Sequence, residues 1–207
     1  MSNSVYYFDT SSPQIYQSPS DQLYFFKVFV GKHTIEVEEG DSVYYFDDAL
    51  EYAHLRKGKC SIDSLHCATL IRGYMPPEAS ISLKGVTVLP YINGCSTKQL
   101  FPPIRQGDPT LQYLYMPPNS SEQAHHIHST ARVVLVLRGK GQSIVGLDKH
   151  THTEELYKGK VCILEPMCPH HFETPFGEPL VVVPLHIFSS IPQSEQNHPM
   201  YNGTYRI

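Results

Sequence analysis

The 207-residue chain predicts an all-β fold, on three observations. Its 17 prolines and 13 glycines cut the sequence into pieces too short for long helices. Its 14 tyrosines suit pleated, half-buried surfaces better than helix interiors. Several compact apolar runs, such as LYFFKVFV, RVVLVL and LVVVPLHIF, sit between Gly- and Pro-containing breaks, as strands do. The length suits one domain with a substantial core and room for an extension.

Taken in order, residues 1–22 are polar and punctuated by SSPQ and SPSD, which predicts an arm or an irregular edge segment. Residues 23–30 read as a strand, Gly31-Lys32 as a turn, and residues 33–37 and 43–46 as two further short strands. Residues 47–57 (DDALEYAHLRK) predict the one helix, acidic at its start and basic at its end as the helix dipole favours. Residues 60–74 mix apolar and polar positions around His66, a histidine expected to be bonded at the core edge. Residues 81–89 read as two short strands around Lys84-Gly85, and 90–103 as loop. Residues 110–116 (TLQYLYM) alternate and form the next strand. Residues 133–137 and 142–147 follow as two strands around a turn at 138–141. Residues 180–188 form a last strand, at an edge or bulged because it contains Pro184. The polar stretch after it is expected to lie across the barrel mouth or a partner subunit. Two repeats stand out: SVYYFD at 4–9 and 42–47, and YMPP at 74–77 and 115–118. Their offsets, 38 and 41 residues, differ, so they mark reuse of a favourable strand-and-turn sequence or a decayed duplication rather than a regular solenoid.

The candidate chemistry lies in residues 124–175, which hold seven of the twelve histidines: His125, His126, His128, His150, His152, His170 and His171. In a strand, residues i and i+2 share a face, so His126 and His128 project together. A returning strand would bring His170 or His171 beside them, and three converging neutral imidazoles make an open metal site. His125 would point away from His126.

These residues carry a resemblance to the cupins. The first cupin motif is Gly-x5-His-x-His-x3-4-Glu-x6-Gly. Here His126-x-His128-x3-Arg132-x6-Gly139 keeps the spacing, with Arg132 in place of the glutamate and Ser120 in place of the first glycine. The second motif is Gly-x5-Pro-x-Gly-x2-His-x3-Asn. Gly159, Pro166 and His171 fit it with one extra residue after Gly159, Cys168 in place of the inner glycine and Pro175 in place of the asparagine. The resemblance implies a cupin-type double-stranded β-helix, or jelly-roll barrel, over residues 101–190. An N-terminal extension over 1–100 would add strands and a short helix, and a tail would follow over 191–207. It further implies His126, His128 and His171 as ligands of a divalent metal, Fe(II) foremost, with Zn, Mn, Ni or Cu as alternatives. His170 stands beside that set as the competing third ligand. A homodimer is expected by analogy.

Arg132 cannot bind a cation. If it faces inward it is a candidate contact for a substrate carboxylate; otherwise it points outward to solvent or pairs with Glu122 or Glu165. Glu122 is also a spare carboxylate near the histidines. His186, on the last strand, would orient substrate or act as a general base, or else be a bonded core histidine. His150 and His152 are expected on a solvated hairpin.

The formal charge of -4 and pI near 6.3 give no sign of a nucleic-acid or anionic-membrane partner. The first residues lack a basic and an apolar region and do not read as a secretory signal. The five irregularly spaced cysteines suit a reduced, cytoplasmic setting. P-loop, dinucleotide-binding and nucleophile-elbow patterns are absent from the sequence. The resemblance therefore leads to a non-heme iron dioxygenase acting on a small anionic substrate that chelates the metal. Two other readings stand beside it: a metal-assisted lyase or isomerase of a small carboxylate, and a non-catalytic small-ligand binder.

Overall fold

The computed structural model describes residues 5–19 and 25–188. Leu23 and Tyr24 of the first expected strand, and the C-terminal tail with its expected place at the barrel mouth, lie outside the described residues. Strands dominate, and among the described residues the helical turns are two short 3-10 segments, at Ile92–Gly94 and Asp148–His150. No helix there is long and apolar enough to cross a membrane.

The first half builds β1 (Val5–Asp9), β2 (Gln14–Gln17), β3 (Phe26–Val30), β4 (His33–Val37), β5 (Asp41–Phe46), β6 (Tyr52–Lys57), β7 (Cys60–Ser64), β8 (Cys67–Arg72) and β9 (Ala79–Ser82). Strands β2-β3-β8-β5-β6-β9 make one antiparallel sheet, and β4 pairs with β7 in a second. Between them Ile35, Val37, Val43, Ala68 and Leu70 form a small interior. The segment expected as an extension is thus a sandwich with its own core.

The second half builds β10 (Leu89–Pro90), β11 (Ser96–Phe101), β12 (Thr110–Met116), β13 (Thr130–Val145), β14 (His152–Tyr157), β15 (Lys160–Leu164), β16 (His170–Glu173) and β17 (Leu180–Phe188). One wall has the order β1-β15-β13-β17-β12-β11-β10, so the N-terminal strand crosses over to complete it. The far half of β13 pairs with β14 and β16 and forms the opposing wall. The result is a rolled, all-β cupin-type barrel.

Alternation along β13 sorts its side chains. Ala131, Val133, Leu135 and Leu137 face outward onto Val28, Tyr44, Ala53 and Leu55 of the first sandwich, in one continuous core. Val134 and Val136 face the barrel interior with Leu114, Leu156, Phe172 and Val182, and Arg132 falls on that same inward side by period two.

Three local expectations are corrected. Residues 47–57 are not helical. The Asp47 carboxylate accepts the N–H groups of Glu51 and Tyr52 at 2.6 and 2.8 Å, Leu50 adopts a φ of 57°, and the chain returns as β6. From Tyr52 onward the burial alternates, Ala53 and Leu55 inward and their neighbours outward, so the period is two and tertiary packing overrides helix propensity. Residues 138–141 are not a turn either, because β13 runs through them unbroken for 16 residues. Register shifts between Val136 and Arg138, and Gly139 has a φ of 83°. A Cβ there would fall 1.8 Å from the Pro179 carbonyl oxygen, so this glycine permits a bulge that carries the strand from one wall to the other. Pro184 lies in a central strand, and its missing N–H is accommodated where β12–β17 pairing lapses between Leu111↔Leu185 and Leu114↔Val182.

The repeats do not occupy matching places. Val5–Asp9 is an edge strand on β15, whereas Asp41–Phe46 lies between β6 and β8. YMPP follows β8 in one copy and ends β12 in the other. Reuse of a strand-forming sequence accounts for both.

Candidate metal centre

The loop from β12 to β13 is irregular but is pinned to β16. Asn119 N–H donates to Thr174 O, Glu122 N–H to Phe172 O, and His126 and His170 exchange both backbone bonds at 3.1 and 2.9 Å. That last pair sets the side chains of His126 and His170 against each other. His128 follows two residues on and Met167 N–H donates to its carbonyl at 2.7 Å.

The structure brings together His126, His128 and His170, each offering one ring nitrogen, all within 4.8 Å of one another. His126 and His128 are half-buried, and His170 is fully buried. The tautomers are set from behind. His126 Nδ1–H donates to Ala124 O at 2.9 Å, and His170 Nδ1–H to Cys168 O at 2.7 Å, so both Nε2 lone pairs face the focus. The Nε2 atoms of His126 and His128 lie 2.9 Å apart. Two nitrogen donors at right angles on an ion with bonds near 2.1 Å would be separated by about 3.0 Å. Burial holds the imidazoles neutral, with Arg132 adding to the effect. His128 is lowered to about 3, His170 to about 2, and His126 below its ordinary value. A neutral, pre-oriented imidazole set fits a divalent transition metal.

Arg132 faces inward and is buried, 4% exposed. Its Nη1 donates to His170 Nε2 at 2.5 Å, so a metal held by His170 would compete with the guanidinium for one lone pair. Its Nε has no partner among the described residues. Glu122, 3% exposed, lies in the field of Arg132 and accepts the Phe172 N–H, while its Oε1 is unpartnered. Burial raises the Glu122 carboxyl and the Arg132 charge opposes that rise. His186 sits directly across from Arg132 in the β13–β17 register. Its ring is 5.7 Å from that of His128, its Nε2 is unpartnered, and burial holds it well below the usual imidazole range. Glu122, His126, His128, Arg132 and His186 all line one cavity of about 560 Å³, with Leu89, Tyr91, Lys98, Gln112, Leu114 and Pro184 among its other walls.

His171, expected as the third ligand, is displaced from the set by His170. It faces the outer side of β16, where its Nε2–H donates to Glu173 at 3.0 Å and its Nδ1 lies 2.7 Å from that of His125. Turn geometry explains the shift. Glycine readily adopts a positive φ, and here Met167 has one, at 64°, one residue before Cys168 at the inner-glycine position. Counting from Met167 places the histidine at 170 and removes the extra residue after Gly159, with Glu165 then at the motif's proline position.

His66 bonds Asp48 O at 2.9 Å, and His150 and His152 are exposed beside β14. The cavity's polar wall from β11 and β12, Lys98 and Gln112, was not foreseen. The alternation of TLQYLYM, which puts Gln112 and Leu114 on one face, was the available signal.

No protein-family model matches the sequence, and no curated protein matches it. Structural likeness is found instead. A point mutant of oxalate decarboxylase from Bacillus subtilis superposes with a TM-score of 0.54 at 10% identity, over 89% of this chain and 77% of that one. A structure of oxalate decarboxylase concerned with proton-coupled electron transfer gives 0.56 at 9% identity, over 88% and 77%. A cupin-like protein from Thermotoga maritima overlaps 50% of this chain and 82% of its own, at 18% identity and a TM-score of 0.41. The protein has the cupin fold. Within that fold it carries a three-histidine candidate metal centre whose carboxylate position is taken by arginine.

Proposed function

We propose that the chain is a metal-dependent enzyme acting on a small anionic substrate that chelates the metal, with His126, His128 and His170 as ligands. The observation that carries this reading is the set of two Nε2 lone pairs fixed on a common focus by Ala124 O and Cys168 O, with His128 beside them. A bound ion would supply Lewis acidity and open coordination positions for substrate. Arg132 would take the substrate carboxylate, a reading supported by its inward side chain among the residues that line the cavity. Withdrawal of its Nη1 from His170 is needed before that lone pair can serve the metal. His186, neutral and unpartnered, is placed to take or return a proton. Oxygenase chemistry is the leading reaction type, because three neutral ligands leave several positions open.

Redox-neutral lyase chemistry is the second reading. It is favoured by the structural likeness to oxalate decarboxylase, for which Mn(II) centres are described. Metal analysis of the purified chain, followed by turnover of candidate carboxylates with and without dioxygen, tests both. A requirement for dioxygen supports the oxygenase, and equal anaerobic turnover supports the lyase. Fewer than one bound metal per several chains, after exposure to Fe(II), Mn(II) and Zn(II) in turn, refutes the metal-dependent reading.

A further inference from the structure

Metal binding leaves three buried polar atoms unexplained: Glu122 Oε1, Arg132 Nε and His186 Nε2 are closed to solvent in this structure and have no partner among the described residues. A buried polar group without a partner costs free energy, so such atoms are matched in the working state by something not in the chain. All three residues line the same cavity. One is a cationic donor and one is a carboxylate acceptor, which specifies complementary groups on a single ligand.

We propose that the substrate class is a 2-hydroxy acid with an apolar body, its carboxylate held by the Arg132 guanidinium and its hydroxyl donating to the Glu122 carboxylate. The proposal rests on the anionic-substrate reading above and adds the second contact. A hydroxyl is chosen over an ammonium on charge. A dication on neutral imidazoles, together with the Arg132 guanidinium, faces at most one carboxylate, so another positive charge is disfavoured. The apolar body follows from the space. About 560 Å³ is far more than a two- or three-carbon acid fills, and Leu89, Leu114, Pro184 and the Tyr91 ring line it. Tyr91 is fixed over the loop by its hydroxyl, which donates to Gln123 Oε1 at 2.7 Å.

The test measures binding of 3-phenyllactate, 3-phenylpropanoate and phenylalanine by calorimetry. Each is titrated into metal-free and Mn(II)-loaded wild type, Glu122→Leu and Glu122→Gln. Wild type is expected to prefer the hydroxy acid over the other two by about tenfold or more, the usual discrimination when a buried acceptor loses its donor. Glu122→Leu should abolish that preference, and Glu122→Gln, which keeps an acceptor oxygen, should retain most of it. A preference that survives in Glu122→Leu overturns the proposal, because the hydroxyl is then read elsewhere. Tighter binding of phenylalanine, or no binding of any acid in either metal state, also overturns it. If Glu122→Leu does not fold, Glu122→Ala in metal-free protein provides the same comparison. The metal-free arm reads the Glu122 contact even if the metal assignment fails, so the two failures are separable.

Discussion

Replacing Arg132 with leucine should tighten metal binding, although the residue sits at the centre. Its Nη1 lies 2.5 Å from His170 Nε2. An ion bound to that nitrogen at about 2.1 Å would be within about 4.6 Å of the guanidinium nitrogen. A dication and a monocation at that distance repel by roughly 7 kcal/mol at an effective dielectric of about 20 and by about 2 kcal/mol in bulk water. The lower figure already corresponds to about 30-fold in affinity. Losing the competing hydrogen bond acts in the same direction. Removal of Arg132 also takes its positive charge from the field of the buried Glu122 carboxylate, which lowers stability while that group is ionised. Thermal unfolding should therefore fall in the metal-free variant and recover on metal addition. Calorimetric titration of Mn(II) or Zn(II) into wild type, Arg132→Leu and Arg132→Lys separates charge from shape, since lysine keeps the charge and should stay weak. A folded Arg132→Leu that binds metal no more tightly than wild type would refute the competition argument.

The remaining predictions concern the ligand set, pH, thiols and the β13 bulge. His170→Ala should abolish stoichiometric metal binding, whereas His171→Ala should leave one metal per chain, as read by elemental analysis. Metal-free stability should fall as pH drops below about 6.5. His126, His128, His170 and His186 are held neutral in the folded state by burial, so below that pH the unfolded chain binds more protons. The loss should continue toward about pH 3, at up to about 1.4 kcal/mol per pH unit for each group, and a flat urea-unfolding midpoint between about pH 7 and 4 would contradict it. Of the five cysteines only Cys60 is partly exposed, and burial pushes the Cys67 and Cys162 thiols up to about 12 and Cys168 to about 11. A disulfide-exchange reagent at about pH 8 should therefore label one thiol in native protein and all five after denaturation. Gly139→Ala should destabilise by roughly 3 kcal/mol or more, because its Cβ would collide with the Pro179 backbone and its φ is positive.

Much of the barrel was legible in the sequence because its signals are local. The β-branched runs that became β13 and β17, and the i, i+2 spacing of His126 and His128, need only strand geometry to interpret. What was misread depends on neighbours that the local sequence does not reveal. DDALEYAHLRK has helix-like charges, but the hairpin partner of β6 decides its period. RGKG looks like a turn until Pro179 and Glu173 are seen pressing on its two glycines. His170 and His171 differ by one residue, and a one-residue step exchanges the faces of a strand. The backbone pairing of His170 with His126 fixes which one enters, after the turn in which Met167 has a φ of 64°.

The first sandwich shows what the site requires by lacking it. Its strands β3-β8-β5-β6 repeat the order of β12-β17-β13-β15, and its β4–β7 ladder matches the pinning of the histidine loop to β16. Where Arg132 stands opposite His186, β5 and β8 set Val43 opposite Leu70. Ile35 and Val37 fill the interior where the second barrel holds imidazoles. The turn from β5 to β6 is short, whereas β13 runs on into a hairpin with β14. Aliphatic side chains pack a small interior but offer an ion no donor atoms. The second barrel instead encloses an arginine, a glutamate and a cluster of histidines, a destabilising choice by itself. The polar interior of the second barrel is therefore not a requirement of the strand order, which the first sandwich builds around aliphatic side chains.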